Sequence, residues 1–358
     1  MVERTLIIAE AGVNHNGSLD LALQLVDVAA QAGADVVKFQ TFKAELLATA
    51  KAAKAEYQVT NTKEAGGQLE MLRRLELSDS DHRNVLERCR DRGIRFMSTA
   101  FDAASLDMLA GMDMPAVKIP SGDITFAPQL IRAARLGKPL IVSTGMSTLA
   151  DVEQALAVIA FALTQSGEPV GRADFEAAYA SPAGRQALLR TVTLLHCVTQ
   201  YPAPASSINL RAMDTLRHAF GLPVGYSDHT EGIDVALAAV ARGACMIEKH
   251  FTLDRQLPGP DHAASLEPAE LERLVQGIRT IEEALGSAVK GPSSAEACNR
   301  PIARRSVVAA RPIAAGEILQ ADMLACKRPG TGVSPVDFWS LLGQPARRAY
   351  AADEAIDA

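Results

Sequence analysis

Two histidines carry the most suggestive chemistry in this sequence. His229 closes the run Gly225-Tyr226-Ser227-Asp228-His229, and His250 closes Met246-Ile247-Glu248-Lys249-His250. Imidazole nitrogen suits Mn, Fe, Zn and related ions. Two protein ligands leave coordination positions open for substrate and water, which a catalytic metal needs. Along an extended chain, two-residue alternation puts Glu248 and His250 on one face and Lys249 on the other. Taken alone, each histidine also reads as a hydrogen-bonded core residue.

A second set is suited to an anion. Lys38, Thr99, Lys118, Ser121 and Ser143 also stand at the ends of short apolar runs. Two cations with small hydroxyls fit a phosphate or a carboxylate. A Schiff-base lysine is the competing chemical reading. Glu10, at the end of the first run, is the acid/base candidate. The Asn14-His15-Asn16-Gly17 stretch after it also reads as turn chemistry, where Asn and Gly accept positive φ. A single Ser or Thr after a strand reads equally as a helix N-cap. What separates the readings is recurrence: every apolar run ends in such groups, and barrel strand ends converge on one face.

The elements that would position these groups are eight apolar runs, at residues 5–12, 35–40, 95–101, 116–123, 139–145, 193–198, 222–228 and 245–252. They are too short for helices and rich in Val and Ile. Amphipathic stretches lie between most of them, among them 19–32, 79–92, 127–136 and 233–242. The pattern predicts a (β/α)8 TIM barrel over residues 1–286. An open doubly wound sheet is the alternative, but no GxGxxG follows the first run. Two long connections interrupt the rhythm. Residues 43–67 follow a strand end and are placed to cover the site. Residues 164–190 precede a strand and belong on the opposite face, away from the chemistry. Periodicity stops at 287–299, a linker. Residues 300–358, with β-like runs at 305–310 and 323–327, read as a small β-rich domain.

Composition narrows the class. Of 358 residues, 48% are apolar and 22% charged, which suits a globular protein. A net charge of −6 argues against a nucleic-acid or anionic-membrane partner. Five scattered cysteines without a CxxC pair fit reduced thiols. With no run of transmembrane length and no signal-like start, a cytoplasmic location is expected.

Taken together, the motifs resemble the sialic acid synthase (NeuB-like) family. They are Ile8-Ala9-Glu10-Ala11-Gly12-Val13-Asn14-His15-Asn16-Gly17, Val37-Lys38-Phe39-Gln40-Thr41, Lys118-Ile119-Pro120-Ser121-Gly122 and Ser143-Thr144-Gly145-Met146. Gly225-Tyr226-Ser227-Asp228-His229-Thr230, Ile247-Glu248-Lys249-His250-Phe251-Thr252 and Gly259-Pro260-Asp261-His262 continue the match. Ala303-Arg304-Arg305-Ser306 and Lys327-Arg328-Pro329-Gly330-Thr331-Gly332 resemble that family's antifreeze-like SAF domain.

The resemblance implies a transferase that condenses phosphoenolpyruvate with the open-chain aldehyde of an N-acylated mannosamine, giving a nine-carbon 2-keto acid and phosphate. It implies Mn2+ or Mg2+ held by His229 and His250, and phosphoenolpyruvate held by Lys38, Thr99, Lys118, Ser121 and Ser143. Gln40, Tyr201, Ser227 and Asp261 would line the sugar and metal region, and Glu10 would handle the proton of the attacking water. The family's swapped dimer would bring Arg328 of a second copy to the acyl group.

The expected acceptor is N-acetylmannosamine, giving N-acetylneuraminate. The alternative is 2,4-diacetamido-2,4,6-trideoxymannose, giving N,N'-diacetyllegionaminate. Thr199 and Ile302, where some members have Asn and Phe, leave that choice open. Asp261-His262 is unlike the pseudaminic acid branch. Outside this reaction stand a metal- or lysine-dependent pyruvate aldolase, a carbohydrate- or ice-binding module, and an inactive regulator. The complete set of polar strand ends disfavours the last two.

Overall fold

In the computed structural model, residues 4–62 and 66–357 are described. The chain divides into two compact units, Met1–Gly286 and Ser287–Ala358. In the first, eight parallel strands close into a barrel in sequence order. They are β1 (Leu6–Gly12), β2 (Val36–Thr41), β3 (Arg95–Ala100), β4 (Val117–Ile119), β5 (Leu140–Ser143), β6 (Val192–Cys197), β7 (Val224–Asp228) and β8 (Met246–His250). The expected (β/α)8 barrel is therefore the observed one. β4 ends earlier than its apolar run: Pro120 has no N–H to give the ladder, and Ser121–Asp123 turns into a short 3-10 helix.

Helices pack outside the barrel through apolar stripes. Leu19–Gln31 buries Ala22, Leu25, Val26 and Ala29, one stripe at helical spacing. Its first turn is capped by Ser18, and Asp79–Arg92 is capped by a Ser78/Asp81 box and stopped by Gly93 at φ 69°. Most of the core lies in this layer between strands and helices.

The bore of the barrel positions the site. Ile8, Val36, Met97, Ala116, Ile141, Leu195 and Met246 form a buried apolar plug inside it. Two residues further along each strand stand Glu10, Lys38, Thr99, Lys118, Ser143, Cys197 and Glu248. Period-2 alternation points each pair into the same bore. The remaining strand, β7, has Gly225 at the plug level and Ser227 above it. A Cβ on Gly225 would lie 2.4 Å from Met246 Cγ and 2.7 Å from Leu195 Cδ2, so the plug is already full. An apolar floor thus forces a ring of polar groups one layer up.

The connection after β2 folds into three short helices, Ala44–Leu47, Glu56–Thr62 and Gln68–Leu75. Residues 63–65 of that connection lie outside the described residues. The 164–190 stretch supplies Arg172–Ala180 and most of Pro182–Thr191, which pack on Leu149–Thr164. In the second unit, β9 (Ser306–Ala309) pairs antiparallel with β10 (Leu324–Lys327). Val307, Ala309, Ile313, Leu319, Met323 and Tyr350 are among its separate core residues. The stretch 287–299 includes the short helix Ser294–Ala297.

Candidate active site

A cavity of about 390 Å³ opens at the C-terminal ends of the barrel strands. Its lining includes Glu10, Lys38, Gln40, Thr99, Lys118, Ser121, Ser143, Tyr201, Ser227, His229, His250 and Asp261. Arg328, also singled out in the sequence, lies exposed in the second unit after β10.

At the floor the two lysines are held by carboxylates. Lys38 Nζ donates to Thr99 Oγ1 at 3.1 Å and is ion-paired with Glu10 and, at 3.4 Å, with Glu248. Lys118 Nζ donates to Glu248 Oε1 at 3.2 Å, and Ser227 Oγ donates to the same oxygen at 2.9 Å. Burial works to raise both carboxyl pKa values, but the two respond oppositely. Glu248, beside Lys118 and Lys38, is held well below the usual carboxylate range. Glu10 is pushed up to about 7 by burial against the pull of Lys38. Near neutrality the floor therefore carries a cationic excess: two ammonium groups against one firmly ionised carboxylate.

The hydroxyls sit beside these charges. Ser121 Oγ lies 3.1 Å from Cys197 Sγ and accepts from Gly145 N at 3.0 Å. Gly145 is required here, because a Cβ would fall 2.3 Å from Thr199 Oγ1 and 2.8 Å from Ser121 Oγ. Ser143 Oγ and Asp123 Oδ2 are buried without a hydrogen-bond partner. A buried polar atom left unpaired is costly, and both residues line the cavity, where whatever fills it can supply the partner.

The histidines occupy the opposite wall. Their ring centroids are 5.6 Å apart. His229 Nδ1 lies 2.7 Å from Val198 O, and a carbonyl only accepts, so Nδ1 carries the proton and Nε2 keeps its lone pair. His250 Nδ1 is buried and unpartnered. Burial pushes the His229 pKa down to about 4 and that of His250 well below its ordinary value. Both rings are thus neutral at physiological pH, the form that binds a metal. The Tyr201 ring lies 4.2 Å from that of His229, centroid to centroid, and edge-on to His250 at 5.8 Å. Asp261, raised to about 6 by burial, completes this side.

Several lining residues escaped the sequence reading. Glu248 shares the His250 face by alternation, and the signal was present, but its bridging of two lysines required the closed barrel. Cys197 follows Leu195 at the same spacing. Asp123 lies in the turn after Pro120. Tyr57 reaches the cavity from the connection after β2, its ring 5.0 Å from Tyr201 between centroids. No local pattern marks it.

Residues 25–290 match the NeuB family model, and residues 304–358 match the SAF domain. The chain is 46% identical to the N,N'-diacetyllegionaminic acid synthase of Campylobacter jejuni subsp. jejuni serotype O:2, covering 99% of each chain. This chain belongs to the NeuB family. Another NeuB-like relative, the N,N'-diacetyllegionaminic acid synthase of Legionella pneumophila, is also 46% identical, over 94% of this chain and 89% of its own. Among solved structures, the N-acetylneuraminic acid (sialic acid) synthetase of Leptospira borgpetersenii serovar Hardjo-bovis superposes with a TM-score of 0.66. It is 33% identical and covers 82% of this chain and 90% of its own. The NeuB barrel and its SAF unit are thus those of an enzyme family of synthases, a transferase class. Among the described residues, no helix is long and apolar enough to cross a membrane.

Proposed function

We propose that this chain is an N,N'-diacetyllegionaminic acid synthase, condensing phosphoenolpyruvate with 2,4-diacetamido-2,4,6-trideoxymannose and water to give the nine-carbon keto acid and phosphate. One observation carries the reaction class: a cationic, hydroxyl-lined floor lies beside two neutral imidazoles in one cavity. The two relatives at 46% identity are named for N,N'-diacetyllegionaminic acid, and this acceptor is the sugar that would give that product, in place of the N-acetylmannosamine first expected. The outer wall agrees with a deoxy sugar. Phe42, Leu47, Met71, Leu72 and Leu75 line the cavity beside Tyr57, Gln58 and Gln68, so apolar surface is at hand for a terminal methyl.

In this reading Lys38 and Lys118, with Thr99, Ser121 and Ser143, bind the trianionic enol phosphate by charge-assisted hydrogen bonds. Ser143 Oγ thereby gains the partner it lacks. His229 Nε2 and His250 fit a divalent ion, Mn2+ or Mg2+: both rings are neutral, the tautomer of His229 is fixed, and His250 Nδ1 is unpartnered. When bound, such an ion supplies Lewis-acid polarisation of the acceptor's aldehyde oxygen. Gln40, Tyr201, Ser227 and Asp261 orient the sugar. The enol carbon of phosphoenolpyruvate attacks the aldehyde carbon. Water then adds at the cationic C2 centre, giving one proton to Glu10, which passes it to the oxygen of the former aldehyde; the C2–O bond to phosphate breaks as the C2 hydroxyl becomes the carbonyl, its remaining proton leaving with the phosphate. A carboxyl with a pKa near 7 is matched to that proton transfer.

The SAF unit enters the reading through a second copy. In a swapped homodimer the exposed Arg328 of one chain meets the acyl group of the sugar in its partner. With a substrate of central metabolism and five scattered cysteines without a CxxC pair, the enzyme works in the cytoplasm.

An acceptor screen tests the function. Phosphoenolpyruvate, Mn2+ and enzyme are mixed with each sugar and phosphate release is followed. The diacetamido trideoxy sugar should give the highest kcat/KM, N-acetylmannosamine less, and chelator none. Equal or faster turnover of N-acetylmannosamine would return the assignment to N-acetylneuraminate synthase. Turnover of free pyruvate without phosphate release would point to an aldolase.

A further inference from the structure

Behind the two histidines, on the face of the strands turned away from the cavity, lies a buried ion pair. Asp228 and Lys249 are 0% and 1% exposed and are register partners on β7 and β8. Lys249 Nζ donates to Asp228 Oδ2 at 2.8 Å and also to Thr230 O. Asp228 Oδ1 accepts from Tyr226 OH at 3.0 Å, Thr230 N at 2.9 Å and Thr230 Oγ1 at 2.8 Å. His229 sits between Asp228 and Thr230, and His250 follows Lys249. The network therefore grips the chain on both sides of one histidine and ties it to the residue preceding the other.

Stability is a weak reason for such a pair. Desolvating two charges offsets most of their attraction, and apolar residues of similar volume commonly do as well. What apolar residues cannot do is bond the Thr230 N–H and C=O. That matters for a site of two ligands. Among the described residues, no cluster of three or more His, Cys, Asp or Glu is arranged to hold a metal. With no third protein ligand to correct an error, the aim of each imidazole is set by its own strand end.

We infer that Asp228, Lys249 and Thr230 are positioning residues that fix the separation and aim of His229 and His250. The inference rests on the metal reading above. Lys249 is thus a structural cation, and the lysines that meet substrate are the two in the bore.

The test uses the double variant Asp228→Asn/Lys249→Met, which removes both charges and keeps volume and one acceptor. Mn2+ binding to chelator-treated, substrate-free protein is measured by electron paramagnetic resonance, with KM for phosphoenolpyruvate at saturating Mn2+ and the thermal midpoint alongside. Mn2+ should bind about 10- to 100-fold more weakly, while KM for phosphoenolpyruvate stays near wild type. A folded double variant with wild-type Mn2+ affinity would overturn the inference, whatever its thermal midpoint. Wild-type protein that binds no Mn2+ would instead overturn the metal reading itself. Should the double variant not fold, Thr230→Val removes one donor from the same network and faces the same two outcomes.

Discussion

At the scale of single residues, the site is organised by one lysine shared between two carboxylates. Lys38 pairs with both Glu10 and Glu248, but Glu248 also has Lys118 and Ser227. Glu248 therefore keeps its charge and Glu10 is left to titrate. Glu10→Gln should lower kcat by about 10²- to 10⁴-fold with little change in KM for phosphoenolpyruvate. In wild type, kcat/KM should rise with pH through about 7, as the base of the free enzyme loses its proton, and the variant should lose that limb. Stability moves the other way. The folded-state pKa of Glu10 lies above its ordinary 4.5, so the folded state binds the extra proton between pH 4.5 and about 7. The Glu10 contribution to stability therefore falls as pH rises across that window. Urea unfolding of substrate-free protein should show Glu10→Gln losing less stability than wild type over that range. A steeper loss in the variant would contradict the assignment.

At the scale of elements, the barrel converts strand alternation into a layered bore, and this decided what was legible in the sequence. The pairs Ile8/Glu10, Val36/Lys38 and Met97/Thr99 show the rule in the sequence itself: an apolar residue, then a polar one two positions on. Once the runs are read as barrel strands, most of the site follows. What local patterns do not carry is contact between distant elements. Tyr57 meets Tyr201 across a gap that no periodicity spans, and Asp123 depends on where Pro120 ends β4. Glu248 was visible as a companion of His250, yet its role appears only when β2 and β4 bring their lysines to it. The same layering makes a prediction at Gly225. A Cβ there would lie 2.6 Å from the Met246 carbonyl oxygen as well as against two plug side chains, and backbone cannot swing aside. Gly225→Ala should cost at least about 1–3 kcal/mol by overpacking, read as a lowered thermal midpoint. Gly111→Ala, where the nearest atom is 3.7 Å away, should leave the midpoint almost unchanged.

At the scale of the whole molecule, the question is why a complete barrel carries a second unit. The loss of periodicity after residue 286 marked the boundary region, and the Ala303-Arg304-Arg305-Ser306 run resembled the start of an SAF domain, but neither says which barrel that segment serves. Arg328 decides it. If it acts on the sugar of the partner chain, Arg328→Ala should raise the KM for the sugar more than that for phosphoenolpyruvate, and the defect should be repairable in trans. Glu10→Gln and Arg328→Ala chains are unfolded and refolded together, then assayed at low sugar concentration. In a mixed dimer one site combines the intact barrel of the Arg328→Ala chain with the intact Arg328 of its partner. Random pairing makes half the dimers mixed, each with one of two sites competent, so about a quarter of wild-type activity should return. If Arg328 instead serves its own barrel, every site in the mixture carries one defect and no activity returns.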